Sequence, residues 1–429
     1  MTQKAPLRSI LGGAAGNLVE WFDWYVYSAF SLYFAKAFFP GQDQTAQFLA
    51  TSGIFWIGFL MRPIGGWLLG RIGDRHGRRT ALAWSVALMG GGSLLLAATP
   101  TYASVGLAAP VLLMVARIIQ GLSLGGEYGA AATYLSEIAP EGRRGFWSSF
   151  QYVTLYGGQL LALALLLGLR AGGASEAALS SWGWRLAFVV GAALAFGIYL
   201  LRRGIDETPD FAAESAPQKR AGGIADLWAN HRRSVLIAFG LAVGSNVAFY
   251  TYTTYMQKYL VVTSGFAKPV ASQICAAAII VTILLQPVLG GLSDRIGRKP
   301  LLYWFALGGM VGTVPLMSAI GRTHDALAAF ALLLVALVIL SGATATSAIV
   351  KAELFPPHVR ALGVGLPYAL SQSLFGGSAE AVALRLKQVG HEGLYFWYVT
   401  AMIGVALVAT VAMRNAVPGE RGTDRRRIS

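Results

Sequence analysis

The sequence predicts an all-α polytopic membrane protein, with twelve transmembrane helices in two six-helix bundles. Three observations carry that expectation: an apolar composition, apolar runs from end to end, and an internal repeat. Of 429 residues, 55% are hydrophobic and 13% charged, with a mean hydropathy of +0.56. Soluble chains carry roughly 25% charged residues. The apolar runs reach about twenty residues, enough to span ~30 Å of hydrocarbon. The 52 glycines suit helices that approach closely in lipid.

Taken in order, the expected spans are 9–38, 46–70, 80–99, 108–135, 145–169, 184–203, 234–262, 270–292, 300–320, 326–350, 360–384 and 393–414. The first holds acids inside an aromatic run, and the second is bent where Pro63 frees a backbone carbonyl. The fourth carries Arg117; the fifth has no proline, and the eleventh contains Pro367. Around 204–233 the chain turns polar, with Pro209, Pro217, Gly222 and Gly223 among charges. The expected organisation is therefore a first half at 1–203, a cytoplasmic loop at 204–233, a second half at 234–414 and a basic tail at 415–429.

The net charge of +14 is distributed by side. Of the Lys and Arg residues, 24 fall in the loops and tails of one face and eight at the other. That asymmetry is the positive-inside pattern, so both termini are expected in the cytoplasm, and nucleic acid is excluded as a partner. The lone Cys275 excludes an intramolecular disulfide. No small-residue cleavage site closes the first apolar run, which reads as a spanning helix and not a removed signal.

The repeat is explicit. Gly70-Arg-Ile-Gly-Asp74-Arg75-His-Gly77-Arg78-Arg79 returns as Gly290-Gly-Leu-Ser-Asp294-Arg295-Ile-Gly297-Arg298-Lys299, displaced by 220 residues. Glu137-Ile-Ala-Pro140 with Arg144 returns as Glu353-Leu-Phe-Pro356 with Arg360. Two halves repeated in one orientation suit alternating access. Gly77 and Gly297 permit positive φ, and the arginines suit helix C-termini, carboxylates or anionic headgroups. Topology alone needs neither Asp nor Gly, so these loops are expected to form a cytoplasmic gate.

Inside the spans, Glu20 and Asp23 lie i,i+3 on a face running from Asn17 to Tyr27. An acid at bilayer depth costs roughly 2.5–3.5 kcal/mol on insertion scales, so this face should meet protein or a water-filled cavity. One of the two is expected to carry a proton, with Glu127 as a third candidate. Asp23 is preferred because Tyr27, one turn on, can hydrogen-bond it. Arg117 stays charged and needs an anion. It reads either as a structural ion pair with Glu20 or Asp23, or as a cation alternating between an acid and a substrate carboxylate. Gln120 shares its face. Arg62 is a substrate clamp or a partner for Glu127, and Lys258 either snorkels to the headgroups or faces Arg117 as a second cation. Gln151, Tyr152, Gln159, Tyr250, Thr253, Tyr368 and Gln372 are candidate hydrogen-bonding partners of the substrate, each with helix–helix contact as the alternative. Glu380 lies too near the outer end to be expected in the site.

No Walker A loop, metal-ligand cluster or nucleophile–base pair occurs on one helix, so neither ATP drive, a metal, a cofactor nor an enzyme is expected. The 70–79 stretch and Arg117-Ile-Ile-Gln120-Gly121 resemble signatures of the major facilitator superfamily. Gly16–Tyr27, Met61-Arg62-Pro63-Ile64-Gly65-Gly66 and Gly125-Gly126-Glu127-Tyr128-Gly129 resemble its metabolite:proton symporter branch. Lys351-Ala-Glu353 and Phe375-Gly-Gly-Ser-Ala-Glu380 extend the similarity into the second half. The resemblance implies a monomeric, proton-coupled importer in the bacterial inner membrane, carrying a small dicarboxylate such as α-ketoglutarate. Citrate, another organic acid, or a zwitterion such as proline or betaine are alternative substrates. A non-transporting membrane sensor is the alternative of a different class.

Overall fold

Among the described residues, helices occupy the stretches that the apolar runs mark. The computed structural model describes residues 7–76, 78–123, 132–133, 139–140, 142–203 and 223–413. The first bundle comprises α1 (Leu7–Phe38), α2 (Gln44–Leu60), α3 (Arg62–His76), α4 (Arg78–Ala98), α5 (Ala108–Ser123), α6 (Arg144–Ala171) and α7 (Trp184–Arg203). The second comprises α8 (Ile224–Tyr250), α9 (Met256–Val262), α10 (Lys268–Ile296), α11 (Lys299–Arg322), α12 (Ala326–Thr344), α13 (Ser347–Glu353), α14 (Arg360–Ser371), α15 (Ala379–Gln388) and α16 (Glu392–Ala412). Eight described helical segments are long and apolar enough to cross a membrane, and two shorter apolar helices lie at Ala83–Ala98 and Ala108–Ser123.

Several expected spans are built from two pieces. The second breaks at Met61, immediately before Arg62-Pro63, as proline requires. The seventh joins α8 to α9 through a π-helical turn at Thr251–Tyr255, and the eleventh has another at Gln372–Gly376. Pro367 lies within α14, and the π turn begins five residues later. Residues 224–233, expected in the polar loop, are helical with a kink at His231, where φ is −127°.

Helices buried all round sit inside a bundle and not against lipid. Residues 19–35 of α1 and 240–260 of the α8–α9 span are buried without interruption, as are residues 340–352. α1 and α8 open their respective bundles, so the repeat places equivalent helices at the centre.

The bundles meet along α6 against α10 and along α2 against α15. At the end bearing the repeated loops, Asp294 caps α6 of the opposite bundle. It accepts from the Gly145 N–H at 2.7 Å and the Phe146 N–H at 2.9 Å. A carboxylate on a helix N-terminus meets unpaired donors and the positive end of the macrodipole. Arg298 pairs with Asp294 at 2.8 Å and reaches Glu353 at 3.4 Å, so the two repeated motifs of the second half meet. Gly297 has φ +89°, as its turn requires, and Arg295 is exposed. In the first copy, Gly77 and the side chains of Asp74, Arg75, Arg78 and Arg79 lie outside the described residues, while Gly70 lies within α3.

The close approach here needs glycine. A Cβ on Gly290 would stand 2.6 Å from the Gly145 carbonyl oxygen and 2.7 Å from the Ser149 Cβ. Asp294→Asn is expected to weaken closure at this end by about 1 kcal/mol, the usual worth of such a charge. Spin labels on α6 and α10 would show a larger open fraction; an unchanged distance distribution would contradict the capping role.

The opposite end is also joined. Lys268 pairs with Glu176 at 2.5 Å, and Ser52 of α2 hydrogen-bonds Glu380 of α15. Along α2, Trp56 donates to the Ser373 carbonyl at 2.7 Å, and Ser373 donates to the Phe59 carbonyl at 2.6 Å. Among the described residues, the two bundles thus meet at both ends.

Candidate functional site

Asp23 lies on the buried stretch of α1, 1% exposed, and is hydrogen-bonded from two other helices. Ser93 of α4 donates to Oδ1, and Gln120 of α5 donates to Oδ2 at 2.6 Å. The amide of Gln120 also reaches Ser93 at 2.9 Å, while its oxygen accepts from Arg117 Nη1 at 2.7 Å. One glutamine thus stands between the acid and the cation. Its two ends have opposite polarity, which suits a carboxylate on one side and a guanidinium on the other. The expected direct ion pair of Arg117 with Glu20 or Asp23 is replaced by this relay.

Arg117 is fully buried, with its guanidinium carbon 3.9 Å from the Trp24 ring centroid, 4.5 Å from Tyr27 and 5.1 Å from Phe55. Arg62 shares the same tryptophan at 4.6 Å, and also lies over Phe59 at 4.4 Å and Trp21 at 5.0 Å. Ring faces attract cations, and burial strengthens the attraction. Neither guanidinium is saturated. Nε and Nη2 of both arginines are buried without a hydrogen-bond partner. Among the described residues, no carboxylate lies within ion-pair distance of either. Glu20 is buried, and its charge acts on Arg62, as that of Asp23 acts on Arg117.

The second bundle reaches Arg62 through Gln372, whose side-chain oxygen accepts from Nη1. The amide of Gln372 donates to Tyr250 at 2.9 Å and to Tyr368 at 3.0 Å. Gln372 begins the π turn of the eleventh span, and Tyr250 precedes that of the seventh. Such turns re-aim side chains out of the regular helical register.

Other expected members lie elsewhere. Gln159 and Thr253 line a small crevice with Tyr25, Ser28, Gln257 and Cys275. Tyr152 packs 6.0 Å from Phe249, and Gln151 is buried with its amide nitrogen unpartnered. Tyr27 donates to the Thr51 carbonyl at 3.0 Å and not to Asp23, so the reason given for preferring Asp23 fails. The carboxylate is bonded to Ser93 and Gln120 instead. Lys258 neither snorkels nor waits for an anion opposite Arg117: it is 2% exposed and ion-paired with Glu380. Glu127 lies outside the described residues.

Ser93, Trp24, Ser52 and Glu380 were not expected. Serine and tryptophan in apolar helices carry no periodic signal of a site. Glu380 did carry one, the cost of an acid in an apolar helix, but its place near the span end concealed it.

The model of the Major Facilitator Superfamily matches residues 13–379. Over 96% of this chain and 95% of the other, the sequence is 51% identical to the alpha-ketoglutarate permease of Escherichia coli (strain K12). It is 32% identical to a citrate-proton symporter of Salmonella typhi, covering 95% of this chain and 94% of that one. It is 30% identical to a proline/betaine transporter of Escherichia coli (strain K12), covering 95% and 83%. Among solved structures, a D-xylose-proton symporter matches with TM-score 0.75 at 19% identity, over 95% of this chain and 97% of that one.

Proposed function

This chain belongs to the Major Facilitator Superfamily, and on that premise we propose that it is a proton-coupled importer of a small dicarboxylate, α-ketoglutarate first among them. The relatives reported above are transporters and not enzymes. The observation that carries the substrate reading is the pair of guanidiniums on Trp24, each with two unpartnered nitrogens. Buried donors without acceptors are costly, and a carboxylate on each arginine satisfies them with charge-assisted, bidentate bonds. Two cations suit a dianion; a zwitterion would bring its own positive charge against them.

Coupling follows from Gln120. A substrate carboxylate on Nε and Nη2 of Arg117 neutralises that cation while Nη1 keeps Gln120, so the charge facing Asp23 changes with substrate and the two loads are linked. On the other side, a carboxylate on Arg62 competes with Gln372, the contact that reaches across from the second bundle. Binding therefore bears on the interface between the bundles. The repeated loops would form the cytoplasmic gate, with both termini on that side, 204–233 connecting the halves, and one chain sufficing for transport.

The test is uptake of labelled α-ketoglutarate into proteoliposomes under an imposed proton gradient, with citrate, succinate and betaine as competitors. Uptake that ignores a protonophore would remove the coupling, and stronger competition by betaine than by dicarboxylates would remove the substrate class. Trp24 sets the spacing of the two guanidiniums, since both lie within 4.6 Å of its centroid. Trp24→Leu is expected to compress the preference among dicarboxylates of different chain length several-fold; an unaltered ranking of inhibition constants would show that the ring does not set the spacing.

A further inference from the structure

We propose that Glu380, paired with Lys258 and with Ser52 of the opposite bundle, is a second proton-binding group of the transport cycle. The inference rests on the proton-coupled reading above. Glu380 and Lys258 are each 2% exposed, and they form the one ion pair among the described residues with both partners so deeply buried. One carboxylate oxygen, Oε1, accepts from both Lys258 and Ser52. The other, Oε2, is buried and accepts from nothing. Leaving a carboxylate oxygen dry and unpaired is costly, and Oε2 is the atom open to a proton, which would also release Lys258 from its counter-charge.

Among the described residues, Lys258 is the cation paired with Glu380, and the other ionisable groups nearby have partners of their own. α2 brings no ionisable side chain over Gln44–Leu60. Glu392, which opens α16, is taken by Thr263 at 2.6 Å and by Lys387 at 3.4 Å. The Tyr255 hydroxyl is 3.4 Å from that same Glu392, and Tyr395 pairs with Thr251 at 2.7 Å. Tyr259 of α9 donates to the Met317 carbonyl, and Tyr27 of α1 to that of Thr51. On the helix of Glu380 itself, Arg385 is held by Gln388.

Ser52 makes the site a coupling device. It rides on α2, so separating α2 from α15 removes a donor from the carboxylate. Hydrogen bonding to a carboxylate favours its ionised form. The Ser52 bond and a proton act on the same carboxylate, so protonation of Glu380 and separation of α2 from α15 are linked. The same turn of α2 touches the substrate site. Tyr27 bonds the carbonyl of Thr51, next to Ser52, and its ring lies 4.5 Å from Arg117.

Proton-to-substrate ratios, measured from flux reversal potentials in proteoliposomes, test the proposal. Glu380→Gln should lower the ratio by one proton while substrate counterflow is retained. Should E380Q fail to fold because Lys258 is left charged and unpaired, the neutral pair Lys258→Gln/Glu380→Gln carries the same test with the same expected loss. A wild-type ratio of one, or a ratio that either folded variant leaves unchanged, overturns the proposal. Lower thermal stability in E380Q, recovered in the neutral pair at constant ratio, would mark a structural ion pair only. A wild type with no proton dependence would overturn the coupling reading itself, and this inference with it.

Discussion

Arg117→Lys should weaken substrate binding at least tenfold while the protein remains folded. The lysine keeps a charge but loses the planar fork that can meet both oxygens of a carboxylate. Hydrogen bonds to charged groups contribute about 1.5–3 kcal/mol each, so losing one alone corresponds to roughly ten- to a hundredfold in Kd. The neighbours sharpen the expectation. Arg117 is fully buried, and Nη1 is already committed to Gln120, which leaves Nε and Nη2 for the ligand. A flexible ammonium cannot hold Gln120 and a substrate carboxylate in the same geometry. Equilibrium binding of α-ketoglutarate, with thermal stability measured in parallel, separates a lost contact from a lost fold. Wild-type affinity in the folded variant would place the substrate elsewhere.

Asp23→Asn should separate accumulation from movement. Counterflow, which needs only the conformational cycle, should persist. Accumulation under a gradient of one pH unit should fall about tenfold, because one coupled proton moving down one unit supplies 1.36 kcal/mol. The amide is nearly isosteric but has a single acceptor oxygen, whereas Ser93 and Gln120 now donate to two. Some loss of stability is therefore expected as well. Accumulation equal to that of wild type would exclude Asp23 as a proton carrier. The same measurement on Glu20→Gln compares the two acids, since Glu20 bears on Arg62 where Asp23 bears on Arg117.

The spans were legible from apolar runs that recur from end to end, and the repeated loops were legible because each motif of the first half returns in the second. The break at Arg62-Pro63 was equally plain, since proline removes a donor and crowds the preceding turn. Arg62, Arg117, Glu20 and Asp23 announced themselves by the cost of charge in a membrane. Their partners did not. Which acid meets which cation depends on how helices distant in sequence are rotated against each other, and no local pattern encodes that rotation. Lys258 illustrates the limit: from its own helix it could face lipid or cavity, and Glu380, 122 residues away, decides the matter.

By itself the sequence determined the membrane class, the paired halves, the repeated loops and the charged residues too costly to face lipid. Burial energy and backbone chemistry act on each segment separately, so those conclusions need only local patterns. Tertiary structure decided that Gln120 stands between Asp23 and Arg117, that Trp24 carries two guanidiniums, and that Ser52 ties Glu380 to the opposite bundle. Hydrogen bonds and cation–ring contacts require specific atoms within a few ångströms, and only the packing of distant helices brings those atoms together.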